Sequence, residues 1–189
     1  MAGENASRTS FFSKNETNCP VCQTSFFREE LLTGRGRLIA GELTDELRRL
    51  YEPSQKYGEV YPLIYPVTVC PVCYYSVFSQ DFDQISDDGI QKLNDDTDER
   101  IHSVQLIFED LDFREQRRLD EGTASYYLAL RCYDAIPKLL SPTIKQGICA
   151  MRGAWCFGDM HHKKPEENYD YLSQVLFRKA RFFYNLAVE

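Results

Sequence analysis

Histidine and tryptophan are scarce in this chain, numbering three and one among 189 residues. The histidines, His102, His161 and His162, all follow both of the chain's CxxC pairs. A zinc deaminase needs an HxE element that feeds a PCxxC pair, so that chemistry is excluded. There is no GxSxG and no GxxxxGK[ST], and the stretch from Gly34 to Gly41 lacks the third glycine of GxGxxG in register. Neither a serine nucleophile elbow nor a phosphate cradle has support. No apolar run is long enough to span a bilayer, and the opening MAGENASRTS has neither a basic n-region nor an apolar h-region, so a cytoplasmic location is expected. Positive charge is also in deficit: 22 basic against 29 acidic side chains give −7. The deficit sits in residues 81–121, at −9, with −1 before them and +3 after, which argues against a nucleic-acid backbone lying along the whole molecule.

What the chain does have is one tetrapeptide twice, Cys19-Pro20-Val21-Cys22 and Cys70-Pro71-Val72-Cys73. Two residues between cysteines let both sulfurs reach one ion from a tight turn, and proline pre-sets φ for that turn. Four soft thiolates in a tetrahedral array favour Zn²⁺, with iron the alternative, and a site filled by four cysteines has no open position for substrate. Cys19, Cys22, Cys70 and Cys73 are therefore expected to hold a structural zinc ion, against a thioredoxin-like redox pair or unrelated buried thiols. Gln23 and Tyr74 follow each second cysteine, where many zinc knuckles have glycine. With seven cysteines in a reducing compartment, a disulfide framework is not expected. Cys149, Cys156, His161 and His162 could make a second site at helical spacing, although buried helical cysteines are ordinarily core residues.

Taken in order, the chain predicts an α+β fold that is mostly α. Residues 1–15, polar and without periodicity, are expected to be a mobile tail. Residues 16–80 are expected to form a small zinc-ribbon-like β domain. Within it Leu31 to Ala40 reads as a hairpin, Leu43, Leu47 and Leu50 as a short helix capped by Thr44, and Val60 to Cys70 as an edge strand. A boundary is placed near Asp81. Beyond it Ile101, Val104, Ile107, Phe108 and Leu111 keep helical spacing, with the acidic residues on the wet side. Three further helices follow: Ala124 to Ala135, Ile144 to Trp155 opened by Ser141-Pro142, and Tyr169 to Ala187. Trp155 is expected in the core against the last of these. Ala129-x3-Tyr133 and Ala180-x3-Tyr184 resemble the second helix of a tetratricopeptide repeat, so residues 81–189 are expected to be tetratricopeptide-like.

The CPVC pairs, LTDELRRLYEP, YPLIYPVTVCPVCYYS, EGTASYYLALRCYD and RGAWCFGD together resemble the bacterial proteins grouped as domain-of-unknown-function family 2225. The resemblance implies a zinc-ribbon-like head on tetratricopeptide-like helices, with the four cysteines on the family's metal-ligand pattern and no established activity.

No nucleophile can be named, and the expectation is a non-enzymatic protein-interaction scaffold. The alternative is a nucleic-acid-associated factor that uses Arg35 and Arg37 with Lys163, Lys164, Arg178, Lys179 and Arg181. The last helix carries Tyr171, Val175, Phe182, Leu186 and Val188 outside its inward stripe, so either self-association or continuation beyond Glu189 is expected to cover them.

Overall fold

Each CPVC tetrapeptide is the tip of a β-hairpin. The computed structural model describes residues 8–189, in which strands β1 (Ser10–Asn18) and β2 (Ser25–Leu31) pair antiparallel around the first tetrapeptide. Strands β5 (Val67–Val69) and β6 (Ser76–Phe78) do the same around the second. Between them β3 (Ile39–Leu43) and β4 (Arg49–Glu52) make a third hairpin. Five helices complete the chain: α1 (Asp87–Asp95), α2 (Thr97–Gln105), α3 (Leu119–Cys132), α4 (Pro142–Lys163) and α5 (Tyr169–Val188). The architecture is α+β and mostly α, with the small sheets first and the helices after.

Helix α3 is the centre of the molecule. Ten of its residues, from Glu121 to Cys132, are buried, on every side of the helix, which marks a helix enclosed by its neighbours. Hairpin β5–β6 packs on one side of it and α4 on another, and α4 in turn pairs with α5. Buried side chains run without a break from Cys19 and Cys70 through Val77, Leu128 and Phe157 to Ala180, so the core is continuous across residue 81. Small residues let α4 approach on both sides: Gly153 meets Tyr126 of α3 and Leu176 of α5, and Gly147 meets the Tyr184 ring.

Four local expectations are corrected. Of the tail, residues 1–7 lie outside the described residues, while Ser10 onward is β1; the buried Ser10 hydroxyl donates to the buried Glu29 carboxylate across the hairpin. The Leu43–Leu50 stretch is the β3–β4 turn, because Leu47 is left-handed at φ 61 and the Thr44 hydroxyl accepts the Arg48 N–H instead of capping a helix. The expected strand from Val60 breaks into a 3-10 turn, Pro62–Ile64, and the short β5. On α4 the buried residues include Cys149, Ala150, Gly153, Ala154 and Phe157, whereas Trp155 is only half-buried, its ring under the Arg48 guanidinium 5.8 Å from the centroid. Of the expected stripe, Ile148 and Met151 do pack against the core, but as its half-buried edge, while the fully buried face carries small residues such as Gly147, Gly153 and Ala154.

The 3-10 turn at 62–64 is clamped to α3. Tyr126 Oη donates to the Leu63 carbonyl at 2.6 Å, and Arg117 Nη1 donates to the carbonyls of Ile64 and Val67 at 2.9 and 2.7 Å. Gly122 is what lets that turn so close, since a Cβ there would overlap the Cβ and Cγ2 of Ile64. Gly122→Ala is expected to cost roughly 1–3 kcal/mol by overpacking, despite alanine's better helix propensity. A urea midpoint equal to or above that of the parent would refute the clamp.

Candidate metal centre

The two knuckles close in the same way. Cys19 N–H donates to the Thr24 carbonyl and Gln23 N–H to the Cys19 carbonyl, both at 2.9 Å. Cys70 N–H donates to Tyr75 O at 2.9 Å and Tyr74 N–H to Cys70 O at 3.0 Å. Gln23 and Tyr74 take the positions that glycine usually fills, with φ of 62° and 56°. The turn geometry is thus kept without glycine, at a cost of order 1 kcal/mol for each side chain held left-handed. At Tyr74 the ring packs edge-on to Phe113 with centroids 5.2 Å apart, whereas the exposed Gln23 has only a solvent-exposed hydrogen bond from its Nε2 to the Pro20 carbonyl at 3.0 Å.

The hairpins face each other so that Cys19 Sγ lies 3.6 Å from Cys73 Sγ and Cys22 Sγ 3.5 Å from Cys70 Sγ, all four within 4.8 Å of one another. A tetrahedron with metal–sulfur bonds of ~2.3 Å has edges of about 3.8 Å, so this set fits a single ion. Cys19, Cys70 and Cys73 are buried and Cys22 is half-buried, its thiol also within 3.3 Å of Thr24 Oγ1. Sulfurs this close cannot all ionise unaided. Hydrogen bonds from Cys19 and Cys73 draw the Cys70 thiol down to about 2. Hydrogen bonding with Cys70 and burial push Cys19 up to about 12, and Cys73 is pushed far up by its contacts with Cys19 and Cys70. A bound divalent ion would favour the thiolate at all four positions.

Among the described residues this is the one His/Cys/Asp/Glu group that can hold a metal. The alternative quartet is not brought together. Cys149 and Cys156 are buried in α4, where burial pushes both thiols up, Cys156 to about 12, and His162 is exposed at the helix end. Such thiols are inert packing residues.

Sequence reasoning missed Arg100. This α2 side chain has no exposed surface, yet its Nε and Nη2 donate to the Cys73 carbonyl at 3.0 and 2.7 Å. Its Nη1 donates to Leu93 O at 2.9 Å and its Nη2 also to Thr97 Oγ1 at 3.1 Å, with the Asp96 carboxylate 3.6 Å away. A divalent ion in four thiolates carries a net −2, and this buried cation offsets part of it while fixing the second knuckle's carbonyl. The available signal was an arginine four residues before Val104, in phase with a buried apolar position of the same helix.

Substitutions at Arg100 and at the two left-handed knuckle positions test these readings. Arg100→Met keeps the stem but removes the donors, and is expected to weaken metal retention by roughly 10–100-fold in competition with a chromogenic chelator, with Arg100→Lys failing to rescue the fork geometry. Gln23→Gly is expected to stabilise the metal-loaded protein by ~0.5–1 kcal/mol, whereas Tyr74→Gly gains nothing because it loses its contact with Phe113.

A protein of Borreliella burgdorferi described as uncharacterised is 42% identical over 183 residues, which cover 96% of this chain and 65% of that relative, so the chain spans just under two thirds of the relative's length. No solved structure matches. The family model described as "Uncharacterized protein conserved in bacteria (DUF2225)" matches residues 12–189, a range that holds both hairpin knuckles and all five helices. On that match and that identity, the chain belongs to the bacterial DUF2225 family.

Proposed function

We propose that the protein is a non-enzymatic scaffold of the bacterial cytoplasm, stapled by one Zn²⁺ on Cys19, Cys22, Cys70 and Cys73, whose tetratricopeptide-like helices engage a protein partner. The observation that carries this reading is the closed sulfur set at the end of a continuous core. Four thiolates leave no coordination position for water or substrate, and the sulfur-rich donor set suits zinc.

The alternative reading, a nucleic-acid-associated factor, has fewer free cations than its sequence suggests. Arg37 Nε donates to the Arg8 carbonyl at 3.0 Å while the guanidinium sits 5.0 Å over the Tyr57 ring. Lys163 pairs with Glu59, and Lys164 lies 3.4 Å from Asp120. Arg35 sits at a left-handed turn position. Retention on heparin that falls steeply with salt would favour this alternative over the scaffold.

Metal removal tests the staple. Structural zinc can contribute an apparent ~10–16 kcal/mol near neutral pH. Because Arg100 ties the second knuckle to α2, and β5–β6 packs on α3, chelation is expected to lower the thermal transition of the whole chain instead of melting residues 16–80 alone. Elemental analysis should find one zinc per chain. Freshly purified protein without stoichiometric metal, or a Cys70→Ser variant that melts like the parent, would overturn the staple.

A further inference from the structure

An apolar groove runs along the flank of α5. Tyr127 and Leu130 of α3 form one wall, Leu172, Val175 and Phe183 of α5 the other, and Phe157 of α4 is among the lining residues. At about 100° per residue, Tyr171, Val175, Phe182 and Leu186 fall on one strip of α5 beside this groove. Tyr171 is 62%, Phe182 60% and Leu186 47% exposed, so the apolar surface continues out of the groove and over the helix crest. From Tyr171 to Leu186 the strip is about 22 Å long at 1.5 Å per residue, enough for one helix to lie along another for four turns.

Charge identifies what lies there. The far rim of the groove is acidic: Glu99 and Asp134 line it, and Asp95 and Asp98 stand exposed on the adjoining α1 and α2. Two cations stand at that rim: Arg131, already shared between Asp96 and Glu99, and Lys92 of α1, whose Nζ donates to the Asp134 carbonyl at 3.2 Å. On α5, Lys179 and Arg178 flank the apolar strip on either side, both exposed and, among the described residues, in no ion pair. The helix that suits this groove is therefore amphipathic with basic shoulders, and α5 is itself such a helix.

We propose that the groove and strip are a self-complementary interface, at which α5 of a second copy lies antiparallel along α5 of the first and each copy's Lys179 meets the other's Glu99 rim. A two-fold contact of this kind satisfies both strips and both acidic rims at once and closes without leaving a free patch. The contact requires neither the metal nor any further partner.

The test is the mass of the intact chain by analytical ultracentrifugation over a concentration series from low micromolar upward. A dimer is expected, with Phe182→Glu weakening it by roughly tenfold or more, since an apolar anchor at the centre of a contact carries much of its energy. Lys179→Glu and Glu99→Lys should each weaken it and the double swap should recover it, with circular dichroism unchanged in all three because each side chain is exposed. A parent that stays monomeric across the series overturns the proposal. So does a dimer indifferent to Phe182→Glu, and so does a double swap no better than its two single variants.

Discussion

A guanidinium without solvent joins the second knuckle to helices α1 and α2. Moving such a charge out of water costs several kcal/mol, and the cost is met only where every donor has an acceptor in place. Arg100 meets that condition with the Cys73 and Leu93 carbonyls, the Thr97 hydroxyl and a nearby Asp96 carboxylate. The second knuckle and helices α1 and α2 consequently cannot shift independently, since any displacement leaves a buried cation short of partners. The four-sulfur cluster is in this sense a part of the helical core and not an appendage to it.

The same device recurs at other joints between distant segments. Asp81, 2% exposed, accepts from Tyr133 Oη at 2.7 Å and from Lys145 Nζ at 2.8 Å, which fixes the end of β6 to α4. Glu29 accepts the Arg117 backbone N–H at 2.9 Å and so ties β2 to the entry of α3. Arg48 grips the Asp159 carboxylate with both Nη atoms and fastens the β3–β4 hairpin to α4. Each joint puts at least one charged group where a purely apolar contact would allow sliding. Three small hairpins that share no sheet are thereby held on one set of helices.

What could be read from the sequence was whatever depends on near neighbours. The CPVC spacing is a local geometric requirement, so the four cysteine positions stood out before any fold was known. Helices α3 and α5 announced themselves through long apolar periodicity, and Pro142 marked where α4 begins. The features that stayed hidden are set by partners far along the chain. Ser10 lies in a strand paired with Leu31 and contacts Glu29, 19 residues on, and beside the left-handed Leu47 the Arg48 side chain reaches Asp159, 111 residues on. The face of α4 was only partly legible for a different reason: hydropathy rewards bulk and found Ile148 and Met151 at its edge, while the closest approach of the helices is at Gly147, Gly153 and Ala154. Arg100 was passed over as one more charge in a charged stretch.

The separation of the two knuckles also governs the order in which the protein can be made. Cys22 and Cys70 stand 48 residues apart, so a growing chain offers an ion only two sulfurs for several seconds at synthesis rates of ~5–20 residues per second. A two-thiol chelate exchanges its metal readily, and full coordination must wait until Cys73 has cleared the exit tunnel. Arg100 follows shortly afterwards, whereas α4, which anchors the β3–β4 hairpin through Asp159, and then α5 arrive only at the end. An ion on the four sulfurs would therefore close the two CPVC hairpins on each other before α4 and α5 are there to brace them.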